Sequence, residues 1–128
     1  MTQKPLVRTY RGFSLIELLI VILILGILTM IALPAYFSSV QLTRQATANA
    51  NAKALSTAVL SHGLASGSFD TTVADYASDM GGSIPQNPCT GTSTGYTITQ
   101  AGRIASVAPV AGSYCGSWTP VAYNVGID

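Results

Sequence analysis

The sequence predicts an α+β fold, in which one long N-terminal helix carries a small antiparallel sheet of three or four strands and one disulfide closes the domain. Three observations predict it. An apolar run over residues 13–37 of the 128-residue chain continues into an alanine-rich segment. Short runs of alternating apolar residues follow residue 95. The same C-terminal half contains two cysteines, Cys89 and Cys115.

The apolar run is long enough to cross a membrane. It spans 25 residues from Phe13 to Phe37, and Tyr36 is the only ionisable side chain in residues 18–43. As a helix at ~1.5 Å per residue it would be ~37 Å long, which exceeds the ~30 Å hydrocarbon core of a bilayer. We therefore expect a single membrane-spanning helix near the N-terminus.

Glu17 is the unusual residue of this run. A carboxylate deep in a bilayer costs ~2.5–3.5 kcal/mol on insertion scales, so it needs a partner. The simpler interpretation is a glutamate at a helix N-terminus, which is stabilised by ~0.3–1 kcal/mol through the helix dipole and stays near the wet interface. Position alone leaves both interpretations open.

Two residues weaken the apolar helix. Gly26 has a low helix propensity, and Pro34 lacks the N–H that would bond to the carbonyl of Met30. We expect a kink or local unwinding in this region. Gly and Pro are also common in ordinary membrane helices, and that is the simpler explanation for Gly26.

Charge places the two ends of the run on opposite sides of the membrane. Lys4, Arg8 and Arg11 precede it with no acidic residue among them. Basic residues before a membrane helix keep that end in the cytoplasm, so the C-terminal domain should face outward. The net charge of the whole chain is only +1, which does not indicate a nucleic-acid-binding protein.

An outward-facing domain lies in an oxidising space, where a disulfide is the usual state of paired cysteines. A Cys89–Cys115 bond would close a 27-residue loop, worth ~3.5 kcal/mol in the chain-entropy model. Two free buried thiols are the alternative. A metal site is disfavoured because two cysteines and the distant His62 do not make a ligand set.

The helix is expected to continue from Ser38 to about Leu64. Alanine favours helix, and four alanines recur at intervals of four residues, which suits close packing against the chain's own sheet or another helix. They are Ala46, Ala50, Ala54 and Ala58. Gly63 and Gly67 are expected to end this helix. The complete helix would then contain about 50 residues.

Beyond the helix, Asp70 is the expected N-cap of a short helix over residues 71–80, which Gly81 and Gly82 end. A loop rich in Pro, Gly and Asn then leads to the sheet. The strands are expected at 96–99, 103–108, 113–119 and 121–127.

The string RGFSLIEL at residues 11–18 resembles the prepilin signature of type IV pilins and their relatives. A short basic leader ends in Gly12, an aromatic residue follows, and Glu17 is the fifth residue after the junction. Ser14 stands where threonine is commoner. The resemblance is strong over the leader and the apolar helix, and it covers the rest of the chain by architecture.

The resemblance implies a role for each residue of the signature. A membrane prepilin peptidase would cut between Gly12 and Phe13 and would N-methylate Phe13. Glu17 would drive assembly. The chain would then divide into a removed leader over residues 1–12, a transmembrane and filament-core helix over 13–37, and a globular head over 38–128.

The function implied is that of a structural subunit of a type IV pilus. The protein would wait in the inner membrane, with its N-terminus in the cytoplasm, and then polymerise into a helical homo-oligomer at the cell surface. Its partners would be the prepilin peptidase, the pilus assembly platform and minor pilins, and the filament would serve motility, adhesion or DNA uptake. The alternatives are a minor pilin, a type II secretion pseudopilin, a DNA-binding competence pilin, and an anchored domain that never polymerises.

No enzyme activity, cofactor or metal is expected, since the sequence has no nucleophile–base pair, phosphate-binding loop or metal motif. Asp75 and Asp79 could face a calcium ion, but the glycine-marked ligand loop of a strong site is missing. The aromatic residues of the C-terminal half are better explained as core than as a stacking surface for DNA. They are Tyr114, Trp118 and Tyr123.

Overall fold

The computed structural model describes residues 12–127 of the chain, so residues 1–11 of the predicted leader lie outside the described part. The chain divides into two compact units between Tyr36 and Phe37. Helix α1, Leu15–Ser66, has 52 residues and contributes to both units, which confirms the prediction of a helix of about 50 residues.

The described part of the N-terminal unit, residues 12–36, contains the start of α1 and no buried side chain. Every residue from Gly12 to Tyr36 is exposed. The helix includes both Gly26 and Pro34. The Thr29 hydroxyl donates to the Gly26 carbonyl at 3.0 Å, so a side chain bonds the backbone within the predicted weak region.

In the second unit, α1 ends at Ser66 because Gly67 adopts a left-handed conformation (φ +77°) and donates its N–H to the Gly63 carbonyl at 2.8 Å. The prediction that Gly63 helps to end the helix is wrong. Gly63 lies inside α1, where a side chain would collide with the ring of Phe69. Its role is to let Phe69 pack closely against the helix.

The sheet has three antiparallel strands in the order β1 (Tyr96–Ala101), β2 (Ile104–Pro109) and β3 (Tyr123–Gly126). Strands β1 and β2 form a hairpin that turns at Gly102 (φ +64°), and β3 pairs with the other edge of β2. The predicted α+β fold is therefore confirmed, and its sheet has three of the three or four expected strands.

The predicted strand at 113–119 is wrong. Ser113–Cys115 is a short 3₁₀ turn, and Gly116 follows it with φ +65°. A side chain on Gly112 would collide with the Cys89 carbonyl, so the chain passes too close to residue 89 to extend as a strand there. The pattern of residue types in this run does not reveal the close approach of Gly112 to Cys89.

The main core lies between one face of α1 and the inner face of the sheet. Its helix residues are fully buried, and aromatic rings from the connecting loop and β1 complete it. It comprises Ala52, Leu55, Val59, Phe69, Tyr76, Tyr96, Ile98, Ala105, Val107 and Ile127. The alanines at 46, 50 and 54 are exposed, so of the four-residue alanine repeat only Ala58 is buried in the head.

The predicted short helix after Asp70 is reduced to a 3₁₀ turn at Val73–Tyr76, with Thr72 at its N-cap position. Asp70 is therefore not the N-cap. Instead, its N–H donates to the Tyr76 hydroxyl at 2.8 Å, and that hydroxyl donates to the Asp70 carbonyl at 2.6 Å. Tyr76 is fully buried, so its ring fixes the loop on the core.

Candidate functional site

The start of α1 is closed by a reciprocal pair of hydrogen bonds. The Ser14 N–H donates to Glu17 Oε2 at 2.9 Å, and the Glu17 N–H donates to Ser14 Oγ at 3.3 Å. This is a capping box, which satisfies two backbone donors that a helix start otherwise leaves unpaired. The pattern Ser-x-x-Glu was present in the sequence and could have predicted it.

The capping box brings the Glu17 carboxylate close to the predicted cleavage junction. Its oxygen bonds to the N–H of Ser14, and the next backbone nitrogen toward the N-terminus is that of Phe13. Gly12 is exposed and Phe13 is 86% exposed, and α1 begins only at Leu15. The Gly12–Phe13 peptide bond thus lies in an exposed, non-helical stretch immediately before the helix.

The helix that follows can cross a membrane by its length and composition. Its most apolar window has a mean hydropathy of 3.0 with no residue buried, and it is the one such helix in the described part of the chain. An apolar surface of this kind requires lipid or another apolar surface around it. Lipid or neighbouring helices could supply that surface.

In the second unit, the structure brings Cys89 and Cys115 together as a disulfide with a Cα–Cα distance of 5.0 Å. Both residues are fully buried and pack with Ala48 of α1, and Trp118 lies against them. The predicted cysteine pairing is confirmed, although Cys115 lies in a 3₁₀ turn rather than in a strand.

Polar side chains of α1 hold the loops around this disulfide. Arg44 Nη1 donates to the Tyr114 carbonyl at 3.1 Å, and Gln45 Nε2 donates to the Cys115 carbonyl at 2.8 Å. Further along α1, Asn49 Oδ1 accepts from the Val121 N–H at 3.3 Å. These polar residues therefore bind main chain of the head.

Asn87 is a structural residue that the sequence interpretation missed. It is fully buried, and its side-chain amide donates to the carbonyls of Gly95 and Val110. Its Oδ1 accepts from the Cys89 N–H at 2.9 Å. One side chain thus joins the disulfide loop to the segments on either side of the β1–β2 hairpin. An asparagine in a polar loop gives no sequence signal for this role.

The aromatic residues considered for DNA stacking do not form one surface. Trp118 packs on the disulfide cluster and Tyr123 packs on the main core, both partly buried. Tyr114 is 55% exposed, and the Arg44 guanidinium lies 5.7 Å from its ring centroid. Within residues 12–127, no group of three or more His, Cys, Asp or Glu side chains could hold a metal ion.

The chain thus combines an exposed apolar helix, which begins at Leu15 after the Ser14–Glu17 capping box, with a small α+β head closed by one disulfide. Residues 7–33 match the family model of the prokaryotic N-terminal methylation motif. This motif marks the prepilin leaders of type IV pilins and pseudopilins, so the resemblance of the N-terminal region is confirmed. Comparisons with curated proteins and with solved structures gave no match.

The motif and the fold agree. A long apolar N-terminal helix, a three-stranded antiparallel sheet and one disulfide fit an α+β pilin fold. The motif supports a subunit of the type IV pilin or pseudopilin kind, which points to a structural protein. The apolar helix and the motif fit anchoring in the membrane before assembly.

Proposed function

We propose that the chain is a structural subunit of a type IV pilus filament that is processed at the Gly12–Phe13 bond and then polymerises through its N-terminal helix. The observation that carries this proposal is the methylation motif over residues 7–33, which spans the junction and Glu17. The leader is residues 1–12, the membrane and filament-core helix is 13–37, and the head is 38–128.

Cleavage supplies a charge that Glu17 can use. Hydrolysis of the Gly12–Phe13 amide gives Gly12 a carboxylate that leaves with the leader, and it gives Phe13 a free amine that becomes protonated. Because Glu17 Oε2 already bonds to the Ser14 N–H at 2.9 Å, a carboxylate oxygen lies next to the nitrogen that becomes charged. N-methylation of Phe13 keeps the positive charge, so the pairing survives the modification.

Assembly then exchanges lipid for protein around the apolar helix. A carboxylate and an ammonium in an apolar core must be paired, because an isolated buried charge is strongly unfavourable. In a staggered bundle, Glu17 of one subunit can pair with the Phe13 amine of its neighbour. Heterologous contacts that do not close into a ring build an open fibre. The head domains would coat that fibre.

The expected partners and cellular locations follow from these steps of cleavage and assembly. Basic residues at positions 4, 8 and 11 keep the N-terminus in the cytoplasm, where the prepilin peptidase would cut. The assembly platform would then move the subunit from the inner membrane into an extracellular pilus, together with minor pilins. The head has only three Lys or Arg residues after the apolar run, which are Arg44, Lys53 and Arg103. It is therefore expected to bind DNA weakly and in a salt-sensitive way.

The experiment is intact-mass analysis of filaments sheared from cells that produce the full chain. The expected species begins at Phe13, carries one methyl group on its N-terminal amine, and dominates the sheared fraction. Surface material that retains Met1 would contradict the processing step. A processed chain that stays a minor component would instead identify a minor pilin or a pseudopilin.

A further inference from the structure

Arg44 and Tyr114 form a contact at the end of the head where α1 enters it. Arg44 Nη1 donates to the Tyr114 carbonyl at 3.1 Å, and the Arg44 guanidinium carbon lies 5.7 Å from the centroid of the Tyr114 ring. Arg44 follows Phe37 by seven residues, which is ~10 Å along the helix axis. We call the pair of Arg44 and Tyr114 the collar.

The collar exposes side chains of the kinds that occur at membrane surfaces. Tyr114 is 55% exposed, and Leu42, on the same turn of α1 as Arg44, is 64% exposed. Within residues 12–127, neither the Tyr114 hydroxyl nor Arg44 Nη2 has a hydrogen-bond partner. A guanidinium with a free N–H can bind a phosphate oxygen, and tyrosine is enriched at the level of lipid headgroups. The collar therefore presents groups that suit a phospholipid headgroup.

The charges of the head are distributed in a way that suits an anionic surface at the collar. The three acidic side chains of residues 37–127 all follow α1, at Asp70, Asp75 and Asp79. His62 contacts two of them and lies 18 residues beyond Arg44, which is ~27 Å along α1. This distance is several Debye lengths of ~8 Å, so the acidic charges are largely screened at the collar. A negatively charged surface there would meet a basic residue without acidic neighbours.

The apolar run places the collar close to the membrane surface. Leu18 to Phe37 is 20 residues without a charged side chain, which as a helix spans the ~30 Å hydrocarbon core. The outer boundary of the core then lies near Phe37, and the headgroup layer extends ~5–7 Å beyond it. The Arg44 backbone would lie ~10 Å from this boundary, and a long arginine side chain can extend back toward the headgroups. Lipid phosphates are thus within reach of its guanidinium.

We propose that the collar is a lipid-binding site that holds the head at the membrane surface before assembly. Arg44 binds the phosphate of an anionic phospholipid, and the exposed ring of Tyr114 lies among the headgroups. One basic residue next to a membrane helix strengthens binding to an anionic surface about 5-fold. The proposal rests on anchoring by the apolar helix and not on polymerisation, so it can fail while the proposed filament function holds, and the reverse.

Hydrogen exchange followed by mass spectrometry, on the full chain in lipid nanodiscs, tests the proposal. Nanodiscs of phosphatidylcholine alone are compared with nanodiscs that contain about one-third phosphatidylglycerol, which is anionic. Exchange in the peptide over residues 110–117 should be about 5-fold slower in the anionic discs, because lipid binding makes this loop open less often. Salt at about 0.5 M should reduce the difference to less than about 2-fold, since it screens the lipid charge. The peptide over strand β2 is the internal reference and should not change.

Three variants separate lipid binding from a structural role. Arg44→Gln should reduce the ratio between the two kinds of disc to less than about 1.5-fold. Loss of the bond to the Tyr114 carbonyl would speed exchange equally in both discs, so the ratio reports lipid binding alone. Tyr114→Ala removes the ring and keeps the charge, and it should reduce the ratio to about 2- to 3-fold.

Lys53→Gln is the matched control. It removes the same charge from an exposed position of α1 that lies nine residues beyond Arg44, or ~13 Å along the axis, so it should keep the wild-type ratio. Loss of the ratio in this variant would indicate a response to net charge and would overturn the proposal. Equal exchange of the wild-type 110–117 peptide in the two kinds of disc would overturn it as well.

Two further outcomes would assign the collar to another ligand. Inorganic phosphate added to phosphatidylcholine discs should leave exchange unchanged, and slower exchange would identify a site for a soluble anion instead of lipid. If Arg44→Gln keeps the wild-type ratio but fails to enter sheared filaments, the collar contacts a neighbouring subunit and the lipid proposal is wrong.

Discussion

The two units of this chain differ in where their apolar surface goes. In the N-terminal unit, large apolar side chains such as Leu15 (83%) and Ile31 (73%) are exposed. In the head, Leu55 and Val59 on the same helix are fully buried. The head carries its own core, disulfide and polar contacts, whereas the N-terminal unit depends on surroundings that the chain itself does not provide. The head therefore buries apolar surface within the chain, whereas the apolar surface of the N-terminal unit is left for lipid or for another apolar surface to cover.

The largest effect that separates the units should come from the disulfide. Replacing both cysteines, Cys89→Ser with Cys115→Ser, should lower the free energy of unfolding of the head by about 3.5 kcal/mol, because the 27-residue loop is no longer closed in the unfolded state. The measurement is urea unfolding of the full chain in detergent, followed by fluorescence of Trp118, the single tryptophan, which packs on the disulfide.

The N-terminal unit provides the control in the same sample. Its described residues, 12–36, are all exposed and belong to no buried core. Far-UV circular dichroism in detergent should therefore retain a urea-resistant helical signal in the cysteine variant. If that signal melts together with the tryptophan signal, the two units are not energetically independent and the comparison fails.

Asn87 should give the next largest effect, again confined to the head. Asn87→Ala removes two donors and one acceptor, which leaves the buried Gly95 carbonyl, the buried Cys89 N–H and the partly buried Val110 carbonyl without that partner. The expected loss of unfolding free energy is about 2–3 kcal/mol, measured by the same tryptophan signal. Asn124→Ala, on the exposed part of β3, is the matched control and should change it by less than about 0.5 kcal/mol.

A smaller effect is expected from pH, through Tyr96. Burial raises the pKa of its phenol, and the nearby Asn51 side chain opposes the shift. The unfolded chain therefore loses this proton at a lower pH than the folded head. The stabilisation from the neutral phenol is complete below the ordinary tyrosine pKa of about 10, and it declines as the pH rises above that value.

Tyr96→Phe tests this dependence because it keeps the ring and removes the proton. The variant should match wild-type stability near pH 7 and should lose less stability between about pH 10 and 11.5. The comparison variant is Tyr114→Phe, since Tyr114 is 55% exposed and should behave as wild type. Identical alkaline curves for all three proteins would show that Tyr96 does not contribute.

Periodicity and composition predicted the parts of the fold that depend on many residues at once. The long helix, the β1–β2 hairpin and the final strand each extend over several residues with a regular pattern. The cysteine pairing could be predicted because the charges before the apolar run place the domain in an oxidising space. The motif at residues 11–18 could be recognised because it is a short continuous stretch of sequence.

Features that depend on one close contact could not be predicted. Glycine usually marks the end of a helix, but Gly63 lies inside α1, where its lack of a side chain lets Phe69 pack closely. The run at 113–119 has strand-like composition, but the close approach of Gly112 to Cys89 makes it a turn. The carbonyls that Asn87 bonds are brought to it only by the folded hairpin.

We propose that the N-terminal unit is an interface whose carboxylate must be ionised to join a filament. Glu17→Gln tests it most directly, because glutamine can still complete the capping box with Ser14 but cannot pair with a charged amine. The measurement is the amount of processed chain in sheared filaments relative to the membrane fraction. We expect this amount to drop by about 10-fold or more, with normal insertion and an unchanged head. Wild-type assembly by this variant would contradict it and would leave Glu17 only the role of a helix cap.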